Sequence, residues 1–266
     1  MRSGFVTIVG RPNVGKSTLL NAIMERKIAI TSTVAGTTRN MIQGIYTDSE
    51  SQIIFIDTPG IHKPQNKLGK ILNEQAYSAL DGIDLVLFVV DATEKFGTGD
   101  NYILDKLKEN NCKVILIINK IDKITFNELL PKIEEYSKLY NFEEIIPISS
   151  TKNKNIDDLI KTIKKYLTDD IMYYDAYTVT NVSLKFEIGE LIREKILLLT
   201  KEEVPHSVTV LVHEIKEDKN AANIIADIIV DRDNLKKILI GKNGAMIKSI
   251  GIKARADIEE LMDKKV

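Results

Sequence analysis

The sequence predicts an α/β domain with a mostly parallel sheet and helices on both faces, followed by a smaller α+β domain. Three observations predict it. Short, near-continuous apolar runs alternate with helix-length stretches over the first 168 residues, as strands buried on both faces require. An aperiodic stretch, TDDIMYYDAYTVTNVSLK, then breaks the pattern. Beyond it, two alternating runs lie among helices, the order of a small two-layer module. The predicted organisation is a domain at 1–168, a linker at 169–185 and a second domain at 186–266.

Strands are expected at 5–9, 53–56, 85–90, 114–118 and 145–148, with a more polar one in MIQGIYT before Asp48. Helices are expected at 17–24, 68–80, 101–110, 127–139 and 156–167. In the last of these, Asp157 and Asp158 fall in the first turn and Lys161, Lys164 and Lys165 toward the end, as the helix dipole favours. In the second domain, Ile188, Leu191, Ile192, Ile196 and Leu199 mark one face of a helix over 186–199. Val208, Val210 and Val212 alternate as in a half-buried strand, 218–223 is turn-like, and 224–230 is a second strand. A short helix at 234–240 precedes a longer one at 245–262, with Ile247, Ile250, Ala254, Ile258 and Leu261 on one face.

The bulk numbers narrow the function classes. The 266 residues are 44% hydrophobic, enough for one or two cored domains, and the formal net charge is -1. No global field therefore advertises nucleic acid or membrane, so any such site must come from local clustering. Cys112 is the only cysteine, which excludes an internal disulfide and four-cysteine metal sites and fits a reducing cytosol. The N-terminus enters a strand-like run with no signal-peptide pattern, and the longest apolar runs are far too short to span a bilayer.

Four motifs, each expected at a strand end, carry the chemistry of the first domain. GRPNVGKS, Gly10 to Ser17, sits between a strand and a helix. Gly10, Arg11, Pro12, Asn13, Val14 and Gly15 form a loop whose backbone N–H groups can face phosphates. Lys16 supplies a positive charge to the β- and γ-phosphates, Ser17 a hydroxyl for Mg²⁺, and Ser17 and Thr18 open the helix. Asp57 in DTPG is a strand-end carboxylate suited to Mg²⁺, and Gly60 can bring its N–H to a γ-phosphate. In NKID, with Asn119, Lys120 and Asp122, the Asp122 carboxylate can accept both the ring N–H and the exocyclic amine of guanine. Adenine offers no such pair, so the motif argues for GTP over ATP. Ser149 and Ser150 follow a further strand, where a backbone N–H can reach the guanine carbonyl. Between the phosphate loop and DTPG, the polar stretch GTTRN suits a loop that orders around Mg²⁺ and the γ-phosphate. Thr38 is the candidate ligand there and Thr37 the rival. Lys16, Thr38 and Gly60 are the candidate catalytic groups.

GRPNVGKST, AGTTRN, DTPG, NKID and ISS resemble the five guanine-nucleotide motifs of translation-factor-related GTPases, and within them the group of Era, Der and the tRNA-modifying MnmE. Signalling GTPases of the Ras kind follow the DTPG-like motif with a water-orienting glutamine. Here the residue is Ile61, the hydrophobic substitution of the Era-like group. The resemblance implies slow, partner-stimulated hydrolysis. It also implies that Asn13 helps hold K⁺, although a simple turn residue explains Asn13 equally well.

The second domain contains ILIGKNGAMIKSIG. A second phosphate loop would need Gly-Lys-Ser/Thr after a strand. Here Gly241, Lys242, Asn243 and Gly244 join two helices. Lys236, Lys237, Lys242, Lys248, Lys253 and Arg255 fall between Asn234 and Arg255 with no Asp or Glu. Such a basic patch attracts phosphates in a salt-dependent way, and Ile240 and Met246, with Ile247, form an apolar rim for bases. Helix, two strands, helix, GXXG and helix resemble the type II KH domain, whose GXXG loop clamps nucleotide backbone. LIREKILLLTKEEVPHSV looks like the corresponding Era segment, so both halves resemble Era-type GTPases.

The resemblance implies GTP/GDP and Mg²⁺ as ligands and 16S rRNA near its 3′ end as partner. It implies a role in 30S assembly and 16S rRNA maturation, a cytoplasmic location, a monomer, and a peripheral contact at the inner face of the cell membrane. Two alternatives stay open: an RNA-binding assembly factor with incidental hydrolysis, and a related RNA-modification GTPase. A type II KH domain closes with one more strand after its long helix, and that strand is expected to be missing from 186–266.

Overall fold

The computed structural model describes residues 1–34, 36–61 and 67–266, without the side chains of Lys67 and Leu68. Ala35 of the AGTTRN stretch therefore lies outside the described residues. The described chain forms two compact units, one from 1–29 and 36–181, the other from Ile30–Val34 and Val182–Val266.

The first unit contains β1 (Arg2–Val9), α1 (Lys16–Met24), β2 (Ile42–Thr47), β3 (Ser51–Asp57), α2 (Lys67–Ser78), β4 (Leu85–Asp91), α3 (Thr98–Glu109), β5 (Val114–Asn119), α4 (Phe126–Ser137), β6 (Glu144–Pro147) and α5 (Ile156–Ile163). Its six strands run in the order β2-β3-β1-β4-β5-β6. Only the β2–β3 pair is antiparallel. Every residue of β4 and β5 is buried, which explains why their sequences carry no alternation. Phe88, Leu116 and Ile118 pack with Ile103, Leu104 and Leu107 of α3 and with Leu129 and Tyr136 of α4. Each such side chain contributes roughly 1.5–3 kcal/mol through burial. The chain order reverses beside β1, with β3 on one side and β4 on the other. The carboxyl edge at that point is where open α/β sheets bind ligands.

Three of the boundaries that differ from expectation do so for clear local reasons. α3 begins at Thr98 rather than 101 because the Asp100 carboxylate accepts the Gly97 N–H at 3.0 Å, closing the helix start. β1 begins at Arg2 because Arg2 to Gly4 pair with β3. The stretch expected as a linker is a strap on the first unit. Ser3 and Asp169 exchange two backbone hydrogen bonds, and Ile45 N–H donates to the Val179 carbonyl at 2.9 Å. The fully buried Gln52 of β3 accepts from the amides of Tyr173 and Tyr174 and donates to the Tyr174 carbonyl. Buried amide side chains need such partners, and here they hold 173–174.

The second unit contains α6 (Leu184–Leu199), β7 (Val208–Glu217), β8 (Ala222–Val230), α7 (Asp233–Ile240) and α8 (Ala245–Met262). β7 and β8 pair antiparallel, with a register shift at Val212/Glu214. The shift ends the alternation that marks β7 in the sequence. One core cluster joins Ile196, Val208, Leu235, Leu239 and Ile250; a second joins Ile188, Leu191, Val212, Ala254 and Ile258. Beyond α8, Lys265 bridges Ala221 in parallel. α6 also buries charge: Arg193 forks onto Glu190 at 2.6 and 2.7 Å, and Glu194 and Lys195 are 3% and 8% exposed.

Candidate functional site: a phosphate loop at the sheet edge and a GXXG loop between helices

The phosphate loop leaves β1 and turns into α1. Gly15 is required at its turn: φ is 99°, and a Cβ would stand 2.4 Å from Nδ2 of Asn119. Lys16 is 6% exposed, and its Nζ curls back onto the carbonyls of Gly10 and Arg11 at 3.1 and 2.9 Å. Burial pulls its ammonium down to about 8, although Asp57 opposes the shift.

Asp57 ends β3 and is fully buried. Its Oδ2 accepts from Ser17 Oγ at 2.7 Å, and Ser17 Oγ lies 3.0 Å from Thr38 Oγ1. Oδ1 has no hydrogen-bond partner among the described residues. Burial pushes the carboxyl up to about 6, against the pull of Lys16, Ser17 and Thr38. An orphaned carboxylate oxygen beside two hydroxyls is an all-oxygen donor set, the chemistry that Mg²⁺ takes. These residues fit the ion. Thr38, not the buried Thr37, meets Ser17. Ile61 N–H donates to the Gly10 carbonyl at 3.2 Å, fastening the chain after Gly60 to the phosphate loop. Thr58 Oγ1 donates to the Ile8 carbonyl, a strut that the sequence reading did not assign. Ile61 itself is 1% exposed and part of the core.

On the other side of β1, Asp122 is exposed, and its Oδ1 accepts from Ser149 Oγ at 2.5 Å. That bond aims an open carboxylate, as recognition of a guanine edge needs. Several of the expected groups also bond within the protein. Asn119 Nδ2 donates to the Val14 carbonyl, and its Oδ1 accepts from the amide and hydroxyl of Ser150. The Ser149 N–H donates to the Lys154 carbonyl. Asn119 and the two serine amides thus brace the loops around Asp122. The Arg11 guanidinium likewise turns from the loop to Asp100 at 2.9 Å and Glu94 at 2.6 Å. Its backbone carbonyl still holds Lys16. Pro12 and Thr18 are half-buried, and the exposed Asn13 adopts a left-handed φ of 65°.

Asp91 at the end of β4 was missed, although it carries the same strand-end carboxylate signal as Asp57. Its Oδ2 takes Lys120 Nζ at 2.5 Å, and Oδ1 accepts from the amide and hydroxyl of Thr93. Burial raises its carboxyl, but Lys120 and Thr93 outweigh it and the group sits below its ordinary value. Lys120 Nζ also reaches the Asn13 carbonyl at 2.7 Å, tying the phosphate loop to β4 and β5.

In the second unit, Gly241 has φ 72°, and a Cβ there would meet Met246 Cβ at 2.7 Å, so the sharp exit from α7 requires glycine. Lys236, Lys237, Lys242, Asn243, Lys248 and Lys253 are exposed. Gly244 precedes α8 without a side-chain cap, leaving the N–H groups of its first turn for solvent or ligand. Ile240 is 40% exposed, and Met246 is half-buried, packed against the edge of the Ile196–Ile250 cluster.

A family model described as "50S ribosome-binding GTPase" matches residues 5–120, and a KH domain model matches 203–266. A crystal structure of Era with MgGDPNP and nucleotides 1506–1542 of 16S ribosomal RNA is 43% identical, covering 100% of this chain and 91% of that one, with TM-score 0.96. A variant of Aquifex aeolicus Era bound to GDP·AlF4⁻ is 44% identical over the same shares, also with TM-score 0.96. A bacterial selenocysteine-specific elongation factor shares the fold alone, at 21% identity and TM-score 0.52 over 62% of this chain and 29% of that one. No helix among the described residues is long and apolar enough to cross a membrane. With identity above two-fifths over its whole length, the chain belongs to the Era family of GTPases, with a KH domain as its second unit.

Proposed function

We propose that this chain is a GTP-hydrolysing switch whose nucleotide state controls RNA engagement by the KH domain. The carrying observation is that one chain pairs the Ser17–Thr38–Asp57 cluster with a GXXG loop whose Lys242 and Asn243 are exposed. The RNA is 16S rRNA near its 3′ end, the segment held by the similar Era structure, and the setting is 30S assembly and 16S rRNA maturation in the cytoplasm. The protein works as a monomer, with a peripheral contact at the inner face of the cell membrane. Residues 1–168 bind nucleotide, and 186–266 bind RNA.

Within the nucleotide domain, Ser17, Thr38 and Asp57 hold Mg²⁺, which neutralises phosphate charge when bound. Lys16 exchanges its two carbonyl partners for phosphate oxygens, and the amides of 10–15 and Gly60 donate to the charge that grows on the transferring group. Asp122 selects guanine, and Ser149 keeps its carboxylate aimed. K⁺ sits near Asn13. Ile61, held in the core, cannot orient water. Intrinsic hydrolysis is therefore slow, and the 30S particle stimulates it. That same burial favours the second reading, in which GTP sets conformation and hydrolysis is incidental. The modification-enzyme reading loses support because burial pushes the Cys112 thiol up, away from a reactive thiolate. In the RNA domain, Lys236, Lys237, Lys242, Lys248 and Lys253 attract phosphates, the loop 241–244 clamps backbone, and Ile240 meets a base.

Crosslinking of GTP- and GDP-loaded protein to total RNA tests this reading. Enrichment of the 16S 3′ end that differs between the two states supports it. Crosslinks scattered over many RNAs, alike in both states, would overturn it.

A further inference from the structure

The segment Ile30–Val34 groups with the KH unit, although it precedes the loop carrying Thr37 and Thr38. Its attachment is specific. The Thr31 N–H donates to Glu194 Oε1 of α6 at 3.0 Å. The other oxygen of that carboxylate, Oε2, accepts from Lys195 Nζ at 2.8 Å. Lys195 Nζ also donates to Asp257 Oδ2 of α8 at 2.5 Å. Just upstream, the chain is pinned to α1: Asn21 Oδ1 accepts the amides of Ile28 and Ala29, and Asn21 Nδ2 donates to the Ala29 carbonyl.

Replacing a buried ion pair by apolar packing often costs no stability, so a positional role is one reason for such a pair to be kept. Here Glu194 and Lys195 form a continuous chain of charge-assisted bonds from α8 to the root of the Thr37–Thr38 loop. α8 is the helix that the GXXG loop opens, and Asp257 lies about 18 Å along it from Ala245 at 1.5 Å per residue. α8 runs unbroken from Ala245 to Met262, a rigid element of the kind that can carry coupling between its two ends.

We propose that Glu194 is a positioning residue for the loop carrying Thr38, with its carboxylate set by Lys195 and Asp257 so that RNA on α8 and nucleotide at Ser17 bias one another. This rests on the switch reading above. RNA binding that shifts α8 redirects Lys195 between its two carboxylates, which loosens or tightens the hold of Glu194 on the Thr31 amide. By linkage, the nucleotide state alters RNA affinity by the same factor.

The test uses the full chain, loaded with GDP or a non-hydrolysable GTP analogue, and a labelled RNA of the 16S 1506–1542 sequence. The switch reading expects the two RNA affinities to differ by at least about 5-fold. Asp257→Asn, nearly isosteric, is expected to cut that ratio below about 2-fold while leaving RNA affinity in the GDP state unchanged. Glu194→Ala does the same, and Glu194→Gln, which keeps an oxygen for the Thr31 amide, retains more of the ratio than Ala. Hydrogen exchange at the Thr31 amide responds to RNA in the parent protein and not in Asp257→Asn. Folded Asp257→Asn and Glu194→Ala proteins that keep the parental ratio would overturn the proposal. A parental ratio of one would instead refute the switch reading itself.

Discussion

Acidifying the protein should strip its metal at an unusually high pH, and the magnitude follows from Asp57. Burial raises that carboxyl from 3.8 to about 6. A cation and a proton compete for it, so apparent Mg²⁺ affinity follows the ionised fraction. About nine-tenths is ionised at pH 7 and about one-tenth at pH 5, so affinity should fall about tenfold. A carboxyl at its ordinary value would still be about nine-tenths ionised at pH 5 and would lose almost nothing. The same shift fixes a sign for stability. The folded state holds this proton more tightly than the unfolded state, so the metal-free protein loses stability as pH rises from 3.8 to about 6. The loss is about 3 kcal/mol. The assay is Mg²⁺ titration of the nucleotide complex from pH 5 to 7, with Asp57→Asn as the reference that cancels titration of the nucleotide phosphates. A parent-minus-variant curve that is flat across this range would show that Asp57 is not the metal carboxylate or that its burial is relieved.

Other perturbations give equally specific outcomes. Asp122→Asn removes two hydrogen bonds from a charged acceptor, each worth about 1.5–3 kcal/mol, so GDP affinity should fall by about 10²–10⁴. Xanthosine diphosphate, whose ring carbonyl suits an amide donor, should bind better than to the parent; fluorescence titration reads both. Lys242→Ala should weaken RNA binding and lower the slope of log affinity against log salt by about 0.7 if one phosphate contact is lost. Leu107→Ala, at a position with no exposure, should cost about 2–5 kcal/mol in denaturant unfolding without altering guanine preference.

The sequence made the strands, the phosphate loop, DTPG, NKID and GXXG legible because each is a local pattern with its own period or spacing. The braces between them were not legible. Arg11 meets Asp100, Lys120 meets Asp91, and Asn119 meets Val14 across long stretches of chain. No local periodicity records such pairs. Arg193, Glu194 and Lys195 look like a solvated helix face in sequence, yet they are buried because each finds a charged partner on α6 or α8. The strap at 169–181 lacks periodicity because backbone pairing and Gln52, rather than one apolar face, hold it down.

The most direct measurement is single-turnover hydrolysis of GTP and ATP by the full chain, with and without the 30S particle. The account predicts slow GTP turnover that the particle accelerates, no ATP turnover, and loss of both GTP rates in Lys16→Ala. Equal turnover of ATP, or GTP hydrolysis that survives Lys16→Ala, would contradict it.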